Sequence, residues 1–201
     1  MEDGNLESNS MTELEKMLAG QEFNSMHPSF IERNKLFQDG LDELNSIPRW
    51  RQQDRVEKSR EVLGEIDDSD GPYIFPPTTF MIGKNTKLGK GVFINFNVTI
   101  LDAAPVTIGD HTMIAPGTVI STVTHTLSAR SRRKHNTVAA PINIGKDVWI
   151  GANCTIVPGV TIGDGAVIGA GAVVNKDIPA WSLAVGVPAK VVKQLENDVE
   201  D

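Results

Sequence analysis

The strongest constraint on this chain is a six-residue rhythm. Ile144, Ile150, Ile156, Ile162, Ile168 and Val174 recur at every sixth position. Glycine follows this guide residue at positions 145, 151, 163 and 169. The position four beyond the guide holds Val148, Cys154, Val160, Ala166, Ala172 and Ile178, all apolar and several small. Upstream, Ile82, Leu88, Ile94 and Ile100 share one register, and Ile108, Ile114 and Ile120 resume it after a two-residue insertion. The interval from Ile120 to Ile144 is a whole number of hexads, but its middle, THTLSARSRRKHNTVA, has no guide residues. That stretch is expected to be a loop extruded from the repeat.

A unit of six residues is too short for a helical repeat, which needs a helix pair per unit. It suits a parallel β-helix, in which each hexad supplies a short strand and a corner and three hexads close a triangular turn. A β-branched guide residue fits a stacked strand pointing inward. Glycine after it lets the backbone turn where a Cβ would be crowded. Each coil leans only on its neighbours, so both ends need caps. The N-terminal helices and the C-terminal PAKVVKQLEND are the natural candidates.

The chain therefore reads as an all-β core with a helical appendage. Residues 1–10 are polar and expected to be a disordered tail, and 11–70 form a helical segment. The β-helix is assigned to 71–187, with the extruded loop at about 122–140, and 188–201 to a cap and tail. Within the helical segment, TELEKMLA (Thr12–Ala19) has helical spacing. Ser29 and Glu32 have capping-box spacing for a second helix, with Phe30, Phe37, Leu41 and Leu44 on one stripe. Pro48 closes it. A third helix is expected from near Arg51; its apolar positions, Val56 and Leu63, are sparse, which suggests a surface cover.

Charge and composition narrow the function. The formal net charge of -7 disfavours a nucleic-acid partner, which calls for a basic field. No apolar run approaches the roughly 20 residues of a membrane helix. The start, MEDGNLESNS, has neither the basic residues nor the apolar stretch of a signal peptide, and the single cysteine fits a reducing compartment, so a cytoplasmic location is expected. Cys154 sits at an inward hexad position and reads as core rather than as a nucleophile.

Several stretches are more specific than the rhythm. TELEKMLAGQEF, FINFNVTILD, TVTHT, PINIGKDVWIG, VPGVTIG, VIGAGAVVNKDIP and VGVPAKVV together resemble the maltose/galactoside O-acetyltransferase family over roughly residues 11–195. The resemblance implies a left-handed β-helix, a homotrimer with sites between subunits, and acetyl-CoA as co-substrate. It also implies direct acetyl transfer to an acceptor hydroxyl, with no covalent enzyme intermediate and no metal.

It further suggests roles for particular residues. His125, at the start of the loop, matches the catalytic histidine; an imidazole suits removal of the acceptor's proton at neutral pH. Asn95 follows a guide residue where glycine is usual, and would bind the acceptor or orient the histidine; a corner residue tolerating the left-handed conformation is the alternative. Asp102 matches an acidic position near the acceptor, or is a plain turn residue. The backbone N–H near Ala152 would supply an oxyanion donor. Trp149 would line the acetyl-CoA groove, the trimer contact, or both. Ala170, Asn175, Lys176, Lys190 and Lys193 fall at CoA-contact positions, the lysines facing phosphates.

Departures from the family gather at the acceptor. A Cys-Asp-Tyr-Gly stretch is replaced by Phe80–Gly83, which puts Met81 and Ile82 at acceptor-contact positions. A loop glutamate is replaced by Thr137, and an N-terminal acid and arginine by Ser25 and Asn34. These changes suggest an acceptor less polar than a sugar, such as a secondary metabolite. Three competing functions remain open from sequence: acetylation of an amine, a non-catalytic β-helix scaffold, and a zinc hydratase of similar shape. The last needs three histidines around a metal, and the four present (His27, His111, His125, His135) lack the expected close spacing.

Overall fold

The computed structural model describes residues 11–199, so the expected disordered tail at 1–10 lies outside the described residues. Three helices precede the repeat: α1 (Glu13–Leu18), α2 (Pro28–Ser46) and α3 (Gln52–Val62). Thr12 caps α1 through a reciprocal box. Its hydroxyl accepts from Glu15 N at 3.2 Å, and the Glu15 carboxylate accepts from Thr12 N at 2.7 Å.

The start of α2 differs from the sequence expectation. The cap is His27, whose Nδ1 accepts from Ser29 N at 3.4 Å, and Ser29 lies inside the helix. Pro28 explains the shift. Its fixed φ and missing N–H suit the first helical position, so the helix begins before the serine. Phe30, Leu41 and Leu44 are its buried residues.

The third helix is more than a surface cover. Arg55, Val56, Ser59 and Val62 are buried. The Arg55 guanidinium is wholly enclosed and has no carboxylate partner among the described residues. Its Nη1 donates to Leu44 O and Ile47 O, each at 2.6 Å, and its Nε to Ile74 O at 2.7 Å. One side chain thus ties the last carbonyls of α2 to the first strand of the repeat. Burial pushes its pKa down, yet a guanidinium keeps its charge in a protein.

Three faces of parallel strands follow. One face carries seven strands: Tyr73–Ile74, Phe93–Ile94, Met113–Ile114, Trp149–Ile150, Val167–Ile168, Ser182–Val185 and the antiparallel Lys190–Gln194. A second carries five (Thr78–Phe80, Val98–Leu101, Val119–Ser121, Thr155–Ile156, Val173–Val174). A third carries four (Thr86–Leu88, Val106–Ile108, Ile142–Ile144, Thr161–Ile162). The guide residues stack in register: Ile94, Ile114, Ile150 and Ile168 on the first face, and Ile100, Ile120, Ile156 and Val174 on the second. Every guide residue is at most 3% exposed. Burying each isoleucine removes aliphatic surface from water, worth about 1.5–3 kcal/mol. The column, not any local propensity, therefore holds strands of two to four residues in place.

The outer sides of the faces differ. Tyr73, Phe93, Met113, Trp149, Val167 and Leu183 form a continuous outward ladder on the seven-stranded face. On the four-stranded face the matching ladder is Lys87, Thr107, Asn143 and Thr161. One side of the prism is thus apolar outside as well as inside.

The interruption of the repeat is not an irregular loop. Val123–His125 and Asn136–Ala139 pair antiparallel, with a short helix α4 (Ala129–Arg132) between them. Phe23–Asn24 adds a third strand on the far edge. This small sheet rests on an apolar cluster of Met17, Phe23, Phe30, Ala103, Ala104 and Ala139, with Met81 and Val123 packed against it. The expected C-terminal cap, PAKVVKQLEND, is the edge strand Lys190–Gln194, laid antiparallel on Ser182–Val185.

Candidate active site

His125 ends its strand and is exposed. It pairs with Thr137 across the hairpin. Its Nδ1 lies 3.3 Å from the Asn136 carbonyl oxygen and 3.5 Å from Thr137 Oγ1. A carbonyl can only accept, so this contact selects the Nδ1–H tautomer and leaves the Nε2 lone pair free. Thr137, standing in place of a loop glutamate, is buried against the histidine rather than open to a ligand.

Asn95 is half-buried at the corner between the seven- and five-stranded faces. Its Oδ1 accepts from Phe96 N at 2.9 Å. The left-handed residue of that corner is Asn97, with φ 59°, so backbone conformation does not explain an asparagine at 95. Ala152 and Ala170 occupy the same corner two and three coils on, where Gly171 N donates to Ala152 O. The Ala152 N–H makes no backbone hydrogen bond among the described residues and is free to donate.

Trp149 is 55% exposed in the middle of the apolar outer ladder. Lys176 and Asn175 follow the last strand of the five-stranded face, and Lys190 and Lys193 lie on the C-terminal edge strand. All three lysines are exposed, and none is in an ion pair among the described residues. They are chemically suited to phosphate oxygens.

Two acceptor assignments from sequence are corrected. Ile82 is 1% exposed and packs inward as the guide residue it also is. Asp102 is fully buried: one carboxylate oxygen accepts from Ile82 N at 2.8 Å and the other from Thr86 Oγ1 at 3.0 Å. It anchors the turn at Ile82 and presents no atom to a ligand. Met81 remains half-buried beside the hairpin's apolar cluster. Ser25, at the position of the missing acid, donates its hydroxyl to His135 O at 3.0 Å.

Arg33 and Thr126 are not singled out by the sequence, and Asn34 is marked there only as the replacement for an arginine. Arg33 Nη1, Asn34 Oδ1 and Thr126 Oγ1 are buried without a hydrogen-bond partner among the described residues. Asn34 is one turn beyond Phe30 on the same face of α2, and Phe30 belongs to the cluster that Met81 packs on. Thr126 follows His125. Leaving such atoms unpaired costs about 1–3 kcal/mol each, so they are groups in want of a partner.

The sequence-derived residues do not meet within one chain. His125 projects from the edge between the five- and four-stranded faces, since its hairpin joins Val119–Ser121 to Ile142–Ile144. Asn95, Ala152 and Ala170 line a different edge, and Trp149 the outer seven-stranded face. Among the described residues there is no group of three or more His, Cys, Asp or Glu placed to hold a metal, and no helix long and apolar enough to cross a membrane.

A parallel β-helix with a histidine-bearing hairpin defines a class, the hexapeptide-repeat transferases. Residues 141–176 match the family described as bacterial transferase hexapeptide (six repeats). The galactoside O-acetyltransferase of Escherichia coli is 36% identical over 187 residues, covering 91% of this chain and 81% of that protein. A maltose O-acetyltransferase structure from Clostridium difficile superposes with a TM-score of 0.86 at 33% identity, covering 94% of this chain and all of that one (100%). A hexapeptide-repeat acetyltransferase from Vibrio cholerae, solved with acetyl-CoA, is similar at TM-score 0.79 and 36% identity, covering 93% of this chain and 100% of that one. The chain belongs to the galactoside/maltose O-acetyltransferase family of left-handed β-helix enzymes. It is an acetyltransferase, with acetyl-CoA as its co-substrate.

Proposed function

We propose that the chain transfers acetyl from acetyl-CoA directly to a hydroxyl of a small molecule, with His125 as general base. The observation that carries this reading is the exposed His125 ring with Nδ1 3.3 Å from the Asn136 carbonyl oxygen, a contact that a neutral ring makes as an Nδ1–H donor with Nε2 as its basic atom. Nε2 takes the acceptor's proton as its oxygen attacks the thioester carbonyl. The resulting oxyanion accepts a hydrogen bond from the free Ala152 N–H. The tetrahedral species collapses, the carbon–sulfur bond breaks, and the imidazolium returns its proton to the departing thiolate of CoA. Asn95, with its amide nitrogen still available, binds the acceptor or the histidine.

The acceptor end combines an apolar wall at Met81 with polar atoms at Arg33, Asn34 and Thr126. Buried donors and acceptors favour an acceptor with hydroxyls of its own, and the apolar wall favours one that also carries a non-polar part. The proposed assembly is a homotrimer. A stripe of apolar side chains facing water marks an interaction surface, and neighbouring copies would bury the Trp149 ladder. They would also bring the His125 edge of one copy to the Asn95 edge of the next. A cytoplasmic location, consistent with the single buried thiol, completes the reading.

Lys176, Lys190 and Lys193 are assigned to the CoA phosphates. Replacing all three with alanine is expected to raise KM for acetyl-CoA roughly tenfold with little change in kcat, the result of losing exposed charge contacts worth about 0.2–1 kcal/mol each. Steady-state kinetics at varied acetyl-CoA check this. An unchanged KM removes the lysines from the donor site.

A further inference from the structure

We infer that Glu22 is a positioning residue for His125, acting through Asn136. The inference rests on His125 being the base. Asn136 is the pivot of the hairpin. Its carbonyl oxygen faces His125 Nδ1 at 3.3 Å, while its side-chain Nδ2 donates to Glu22 Oε1 at 2.6 Å and to Ser131 Oγ at 3.0 Å. Ser131 Oγ donates to the same Glu22 oxygen. One carboxylate oxygen therefore gathers the middle strand of the hairpin and the α4 helix that links its two strands.

Glu22 comes from the N-terminal segment, far away in sequence. It is held there by the strand that follows it. Phe23 and Asn24 pair with Thr137 and Asn136, Ser25 N donates to His135 O at 3.2 Å, and Asn24 N donates to the Glu13 carboxylate of α1. The middle strand is thus fixed from the N-terminal side, and His125 hangs from its other edge. These two donors hold the Glu22 carboxyl below its usual range, so it is charged wherever the enzyme works. A charged acceptor makes a stronger hydrogen bond than a neutral one. With Glu22 in place, the Asn136 peptide cannot swing its carbonyl away from the imidazole.

Without it the His125 ring loses the partner that selects its tautomer. The Nε2 atom then carries the proton in a share of the molecules, and those molecules cannot act as base. The N-terminal segment therefore serves as part of the catalytic scaffold, beyond covering the first coil.

The test compares Glu22→Ala, Glu22→Gln and His125→Ala in the full chain. Glu22→Ala is expected to lower kcat roughly tenfold, the size of loss seen when a group orienting a functional histidine is removed, with KM for acetyl-CoA unchanged. Glu22→Gln keeps a carbonyl oxygen for the same two donors and is expected to recover most of that rate. Nitrogen-15 correlation NMR of the His125 ring supplies a readout independent of turnover. The wild type should show Nδ1 protonated and Nε2 bare, and Glu22→Ala a mixture. A Glu22→Ala protein with wild-type kcat and wild-type ring shifts overturns the inference while an inactive His125→Ala leaves the base intact. An active His125→Ala overturns the base itself.

Discussion

His125→Ala is expected to lower kcat by roughly two to four orders of magnitude, the range that a general base contributes. KM for acetyl-CoA should stay close to the wild-type value, because the groups assigned to the donor lie on other edges of the prism. The protein should stay folded. His125 is exposed at the tip of a strand, and the hydrogen-bond contacts of its ring among the described residues are the Asn136 carbonyl at 3.3 Å and Thr137 Oγ1 at 3.5 Å. Steady-state kinetics with a saturating acceptor, alongside a thermal melt, separate chemistry from folding. A variant retaining a tenth or more of kcat would show that proton removal is not what the hairpin provides. Residual activity below that is anticipated, since the Ala152 donor and bound geometry survive the substitution.

Arg55→Ala carries the largest expected effect on stability. The substitution empties the space of a fully buried side chain and strands three carbonyls, those of Leu44, Ile47 and Ile74. Loss of a buried charged hub with its partners left in place costs about 3–5 kcal/mol. Urea denaturation should register that loss as a lower midpoint. Arg55→Lys should recover only part of it, since one ammonium cannot reproduce the forked geometry that spans α2 and the first strand. The loss should appear first as release of the helical segment. The guide column of the repeat does not depend on Arg55, and each coil is supported by its neighbours. Wild-type stability in Arg55→Ala would mean that α2 and α3 are held by their apolar contacts alone.

The two effects involve regions that the sequence reveals to different degrees. The β-helix is legible because a single physical demand, one inward β-branched residue per strand, repeats at a fixed interval. Ile94, Ile114, Ile150 and Ile168 announce their own register. Cys154 reads as core for the same reason, and it is fully buried. The hairpin does not obey the repeat. Its order comes from pairing with Phe23–Asn24, more than a hundred residues earlier, and no local pattern encodes that. Glu22 and Asn136 were invisible for the same reason. Arg55 was missed because an arginine on a charged helix reads as surface; only the three carbonyls converging on it reveal otherwise.

Two acceptor residues illustrate the limit of matching positions by family. Ile82 had two readings, guide residue and pocket wall, and the inward column wins because a guide side chain has nowhere else to go. Asp102 looked like a ligand group, but its two oxygens are already taken by Ile82 N and Thr86 Oγ1. Among the described residues, the polar groups without partners include those of Arg33 and Asn34, which lie outside the stretches that carry the resemblance, and that of Thr126, which closes TVTHT. The loss of charged groups at the acceptor end is therefore partly offset by others. A wholly apolar acceptor would leave these atoms unpaired.

The central claim is direct, acceptor-dependent transfer of acetyl to oxygen. The most direct measurement follows carbon-13-labelled acetyl-CoA with purified protein and a panel of acceptors. The panel includes galactosides, maltose, amphipathic glycosides, simple alcohols and matched amines. The account predicts that CoA thiol is released only when a hydroxyl acceptor is present. It also predicts one acetyl ester per thiol released, seen by its carbonyl shift, and no labelled protein. Thiol release without acceptor, a label bound covalently to the chain, or an amide as the main product would contradict it.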